Sequence, residues 1–174
     1  MFFTLCGDQR PPGHAQPAES ARRIGMLIGT FAKADREGQD RIAAFLDTFQ
    51  KLGWSDGRNF RMDYHWGAGN SKEIAVTAKE LLRATPDVIV VAGNAALAEL
   101  RRQTSTIPIV FIQISDPVGS GFVASLARPG GNVSGFQNFE PAMGGKWLGV
   151  LKEAAPGMSR VAVVFGSDTA ANTE

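Results

Sequence analysis

Asp87-Val-Ile-Val-Val-Ala-Gly93, running straight into Asn94-Ala-Ala-Leu-Ala-Glu-Leu-Arg-Arg-Gln103, is the stretch that decides the fold. Val88 to Ala92 has no polar residue to turn toward water, so it predicts a strand covered on both faces, the situation of a strand inside a parallel sheet wrapped by helices. Asn94 stands where it can cap a helix from Ala95 to Gln103. Working outward, the same strand-then-helix alternation recurs on both sides. Ile24 to Ile28 reads as a buried strand ending in Gly29-Thr30-Phe31. Ile42, Phe45, Leu46, Phe49 and Leu52 recur at offsets 0, 3, 4, 7 and 10, one face of a helix that Gly53 stops. Asn59 to Trp66 is a strand of mixed character, as expected near a sheet edge. Gly67 to Asn70 turn the chain, and Asn70 with Glu73 resembles a capping box for a helix presenting Ile74, Ala78, Leu81 and Leu82 until Pro86.

Toward the C-terminus, Ile107 to Ile114 predicts a strand, Val118 to Leu126 a helix, Arg128 to Asn132 a turn and Val133 to Gly135 a short strand. Strands separated by helices imply right-handed crossovers. The expected class is therefore α/β, a doubly wound parallel sheet over residues 23–135 in the order 2-1-3-4-5. The pattern then restarts with a helix around Met143 to Glu153, the breaker Pro156-Gly157 and a strand Val161 to Phe165. Residues 136–174 are thus expected to be a crossover and the start of a second α/β lobe.

The 174 residues are 44% hydrophobic and 20% charged, the composition of one soluble globular domain or slightly more. A net charge of +1 supplies no field for nucleic acid or an anionic membrane, so a small neutral or zwitterionic partner is expected. No run approaches the roughly 18 to 20 apolar residues of a membrane-spanning helix, so stable membrane insertion is not expected. Cys6, the one cysteine, cannot form an internal disulfide. With His14 and His65 as the only histidines, no spacing suggests a metal centre, and no cofactor is expected. Residues 1–22, with Pro11, Pro12, Gly13 and Pro17, read as a disordered tail or leader remnant. Met1 to Leu5 falls short of the roughly 7 to 15 apolar residues of a secretory signal.

In an open parallel sheet, ligands sit beyond the carboxyl ends of the strands, near helix N-termini whose free N–H groups attract anions. That rule selects the loops Gly29 to Lys33, Trp66 to Asn70, Gly93 to Ala96 and Ser115 to Gly119. Gly93-Asn94-Ala95-Ala96 suits a carboxylate approaching backbone N–H groups, and equally suits a short turn with an Asn cap. Asp116 can pair with an amine or hydroxyl, or simply start the turn at Pro117. Phe31, Trp66, Phe136 and Phe139 lie near these edges and can stack on a ligand or pack. No nucleophile elbow or phosphate loop occurs. Gly119-Ser-Gly121-Phe-Val-Ala124 matches the dinucleotide pattern, with Glu140 about 20 residues on. It follows the fourth strand rather than the first, which weakens an NAD-dependent oxidoreductase as the alternative.

Trp54-Ser-Asp-Gly-Arg-Asn-Phe60, Asp63-Tyr-His-Trp-Gly67, Thr106-Ile-Pro-Ile-Val-Phe111, Ser115-Asp-Pro-Val-Gly119 and Leu126-Ala-Arg-Pro-Gly-Gly-Asn-Val-Ser-Gly135 closely resemble, in order and spacing, the substrate-binding proteins of ABC importers, in the family with tryptophan- and tyrosine-binding members. The resemblance runs from about Arg22 to the C-terminus. It implies a type I periplasmic-binding-protein fold, with two lobes closing on a small ligand, no chemistry, a periplasmic location and ABC permease subunits as partners. On that reading this chain holds the first lobe and the beginning of the second. By resemblance, Gly93 to Ala96 would meet a carboxylate and Asp116 would add a polar contact. The candidate ligand contacts are Thr30, Phe31, Gly93, Asn94, Ala95, Ala96, Ser115 and Asp116. Soluble regulators share this two-lobed fold, so an effector-binding regulatory domain is the other alternative. The short segment before Arg22 has no room for a DNA-reading helix-turn-helix.

Overall fold

The structure, a computed structural model, describes residues 21–139 and 143–162. The chain runs β1 (Arg22–Ile28), α1 (Arg36–Lys51), β2 (Phe60–Trp66), α2 (Ser71–Arg83), β3 (Val88–Ala92), α3 (Asn94–Gln103), β4 (Ile109–Ser115), β5 (Val133–Phe139) and α4 (Met143–Ala154). All five strands pair in parallel in the order β2-β1-β3-β4-β5. The expected order and the mixed character of β2, an edge strand, both hold. The expected tail lies almost entirely outside the described residues, as do Glu140 and most of the expected strand Val161 to Phe165.

Alternation along the central strands feeds two cores. Ile24, Met26 and Ile28 of β1 join Val90 of β3 and Phe60 and Met62 of β2 on one face, where Ile42, Phe45, Leu46 and Phe49 of α1 cover them. Leu27, Ile89, Val91, Ile109 and Phe111 point the other way and are covered by Ile74, Ala78 and Leu81 of α2 and Ala96, Leu97 and Leu100 of α3. Each Val, Leu, Ile, Met or Phe fully buried in these cores contributes about 1.5–3 kcal/mol.

The helix ends follow local chemistry. Asp35 caps α1 by accepting from the Gly38 N–H at 3.0 Å. At its far end Gly53, at φ +87°, donates to the Gln50 carbonyl while Trp54 donates to Phe49, the paired bonds of a Schellman turn. Trp54 then packs with Phe49 and Phe60, tying the end of α1 to the start of β2. Asn70 caps α2 as expected, accepting from the Lys72 and Glu73 N–H groups at 2.9 and 3.3 Å.

Two expectations fail. Asn94 does not cap α3: Gly93 holds the cap position and Asn94 is the first helical residue. Nor does Val118 to Leu126 form a helix; the segment is a series of turns. Ser120 donates to the Asp116 carbonyl, Gly121 to Val118, and Phe122 and Val123 both to Pro117, so no helical ladder propagates. Gly121, at φ +68°, leaves the helical region after a single turn.

Candidate functional site

The strand order reverses between β1 and β3, and a cleft of about 390 Å³ opens there at the carboxyl ends of β1, β3 and β4. Its lining comprises Gly29, Thr30 and Phe31 after β1, Gly69 and Ile74 at the start of α2, Gly93 to Ala96 at the start of α3, Gln113 and Ser115 of β4, Asn138 of β5, and Arg41 of α1. Seven of the eight candidate residues are therefore brought together. The eighth, Asp116, is not in the lining. Its Oδ1 accepts from the Gly119 N–H at 2.9 Å and its carbonyl from the Ser120 N–H, the bonds of a residue that starts a turn.

Close approach between the loops depends on small residues. A Cβ on Gly29 would stand 2.7 Å from the Ala96 Cβ, and one on Gly93 would stand 2.9 Å from the Thr30 Cγ2. Gly93 is also at φ +99°, ψ 138°, a conformation almost reserved for glycine. The Gly69 N–H donates to the Gly29 carbonyl at 2.7 Å and the Ala68 N–H to Phe31 at 3.2 Å, which locks the first two loops to each other.

The α3 terminus is built to present backbone donors. The first helical bond runs from the Leu97 N–H to the Gly93 carbonyl at 3.1 Å, so the N–H groups of Asn94, Ala95 and Ala96 precede the helical ladder. A glycine at the cap position offers no side-chain acceptor to take them. The Asn94 carboxamide is engaged elsewhere: it accepts from the Ser115 N–H at 3.1 Å and donates to the Ser115 carbonyl at 3.0 Å, clamping the end of β4 to the start of α3. The positive end of the α3 dipole therefore faces the cleft with its donors uncapped.

Sequence reasoning missed Arg41, Gln113 and Asn138. Arg41 sits with its guanidinium 5.5 Å from the Phe31 ring centroid and pairs with Glu37 through Nε at 3.1 Å. The periodicity that located α1 does not say which polar residue of the helix reaches the strand ends. Gln113 and Asn138 lie inside strands, where alternation alone would assign them to a sheet face. Of the other expected stacking residues, Trp66 lines a separate groove beside β2 and Phe136 is exposed. Gly119 to Ala124 opens no helix, so the dinucleotide pattern lacks the structural setting it requires. Among the described residues no group of three or more His, Cys, Asp or Glu is placed to hold a metal, and no helix is long and apolar enough to cross a membrane.

The profile of a family described as ABC transporter substrate binding protein matches residues 35–174. A tyrosine-binding protein of Clostridioides difficile (strain R20291) is 26% identical over 123 residues, 71% of this chain and 35% of that protein. Among solved structures, a conserved domain protein from Vibrio cholerae superposes with a TM-score of 0.68 at 27% identity, covering 79% of this chain and 45% of the other. A Streptococcus domain in complex with L-Trp gives 0.66 at 26% identity, covering 79% and 44%. The chain thus spans about a third to under half of the length of these relatives.

Proposed function

The chain belongs to the family of ABC transporter substrate-binding proteins, and from that premise we propose that its cleft holds a small amino-acid-like ligand, with the ligand carboxylate on the N-terminus of α3. The observation that carries the reading is the set of uncapped Asn94, Ala95 and Ala96 N–H groups behind a glycine cap. A carboxylate placed there substitutes for the missing cap side chain and meets the positive end of the dipole, each charged hydrogen bond contributing about 1.5–3 kcal/mol. Thr30 and Ser115 border the same corner and can add hydroxyl contacts. Phe31 supplies an apolar wall, which suits the side chain of a ligand like those named for the relatives, tryptophan and tyrosine.

On this reading the protein binds without turnover, as the solute-binding component of an import system on the outer side of the cytoplasmic membrane. Its partners are the ABC permease subunits, which distinguish the ligand-closed form. The lining carries no nucleophile–base pair, in keeping with binding rather than catalysis.

Calorimetric titration with L-Trp, L-Tyr, their carboxamide derivatives and NAD(H) tests the proposal. Saturable binding of a free amino acid, weakened at least about tenfold by converting its carboxylate to the amide, is expected. Binding of NAD(H) without any amino acid, or equal binding of acid and amide, would overturn it.

A further inference from the structure

We propose that Gln113 is a ligand-contact residue of this cleft, and that β4 carries a break in its pairing in order to place it there. The inference rests on the amino-acid reading above. Gln113 sits within β4 at φ +55°, in the left-handed region that a straight-chain residue rarely occupies and that no strand residue needs. The β4–β5 register shifts between Phe111 and Ile114, so the anomaly is a bulge that breaks regular pairing at this residue. Gly135 of β5 lies in contact with Phe111 where no Cβ could fit, so the partner strand is adapted to the same irregularity.

A bulge re-aims one side chain, and the one re-aimed here belongs to both the cleft and the narrow apolar groove beneath α1, where Phe31 and Arg41 also contribute. Strain at a lining residue without a packing reason marks a position held for binding. The chemistry of the lining says what Gln113 would take. It contains no Asp or Glu, yet an amino-acid-like ligand brings N–H donors along with its carboxylate. The side-chain acceptors of the lining are the Thr30 and Ser115 hydroxyls, which border the carboxylate corner, and carboxamide oxygens; the Asn94 amide is bound to Ser115, which leaves the carboxamides of Gln113 and of Asn138 on β5. Gln113 is therefore assigned to accept from the ligand's amino or other N–H group, across the cleft from the carboxylate at α3. A neutral acceptor there reads hydrogen-bond geometry without fixing the ligand's charge.

Gln113→Gly separates this role from a structural one, because it removes the side chain and relieves the backbone at once. The variant is expected to melt at the same temperature as the unmutated protein or higher, and to bind the best free amino acid at least about tenfold more weakly. Gln113→Asn, which tolerates the left-handed region and keeps a shorter carboxamide, should fall between the two. Undiminished affinity in Gln113→Gly, in the presence of clear binding by the unmutated protein, would overturn this inference alone. Weaker binding that tracks a lowered melting temperature in both variants would overturn it too, since the side chain would then be structural. Failure of the unmutated protein to bind any amino acid would overturn the amino-acid reading and this assignment with it.

Discussion

Tyr64 shows how far a single side chain can be followed from its position to a measurable property. It is the one tyrosine of the chain, half-buried on the inner side of β2 against the α1 core. Burial, and secondarily the charge of Asp56, push its phenol above the ordinary value of 10.0. The folded state therefore holds the phenol proton more tightly than the unfolded chain does. Stability from this group is fully present below about pH 10 and is lost as pH rises through the folded-state value. Melting temperatures should consequently fall more steeply above about pH 10 in the unmutated protein than in Tyr64→Phe. A tyrosinate absorbance titration reports the same residue without interference from another tyrosine. Parallel slopes for the two proteins would show that Tyr64 is as hydrated as in the unfolded chain.

At the scale of elements, the Asn94–Ser115 clamp joins the start of α3 to the end of β4, two elements 21 residues apart in sequence. Asn94→Ala leaves the Ser115 N–H without its acceptor in a partly buried setting, which costs about 1–3 kcal/mol. A fall in denaturant midpoint of that size, with the slope unchanged, is expected, whereas a neutral result would mean that water replaces the clamp. Sequence periodicity placed Asn94 at the right end of the right helix but misread its side chain, because its partner is remote and periodicity is local. The same limit explains the other differences. Strands β1, β3 and β4 were legible because continuous apolar runs have no alternative to burial on both faces. The caps of α1 and α2 depend on neighbours three residues away or nearer, and Asn70 was accordingly legible. Val118 to Leu126 has a helical apolar pattern, yet Pro117 and the backbone at Asp116 and Gly121 set turns that pattern cannot report. The bulge at Gln113 depends on the register of β4 against β5, which no short window contains. Motifs that carry the family resemblance prove to be mostly scaffold. Asn59 braces the turn after α1 through Ser55 and Gly53, and the Asn132 carboxamide holds the Ile107 carbonyl at 2.7 Å.

Over the whole molecule, the two faces of the sheet are unequally covered. Among the described residues two helices, α2 and α3, lie on one face and α1 alone on the other, and near that less covered side Ile112 is only partly buried while Phe136 is 73% exposed. Helix α4 has no buried residue at all, and Trp147, Leu148 and Val150 are each at least half exposed. A twelve-residue helix draws little stability from its own hydrogen bonds, since nucleation is costly and tertiary packing supplies most of what holds helices in proteins. Its amides should therefore open far more readily than those of α3, whose Ala96, Leu97 and Leu100 are fully enclosed. Hydrogen exchange on this 174-residue chain at low concentration is expected to show α4 exchanging orders of magnitude faster than α3. Raising the concentration should slow α4 selectively and increase the light-scattering mass, because apolar side chains of this size gain by association what they lack in cover. Protection of α4 equal to that of α3 in a monomeric sample would mean that its apolar side is already covered within one copy of the chain.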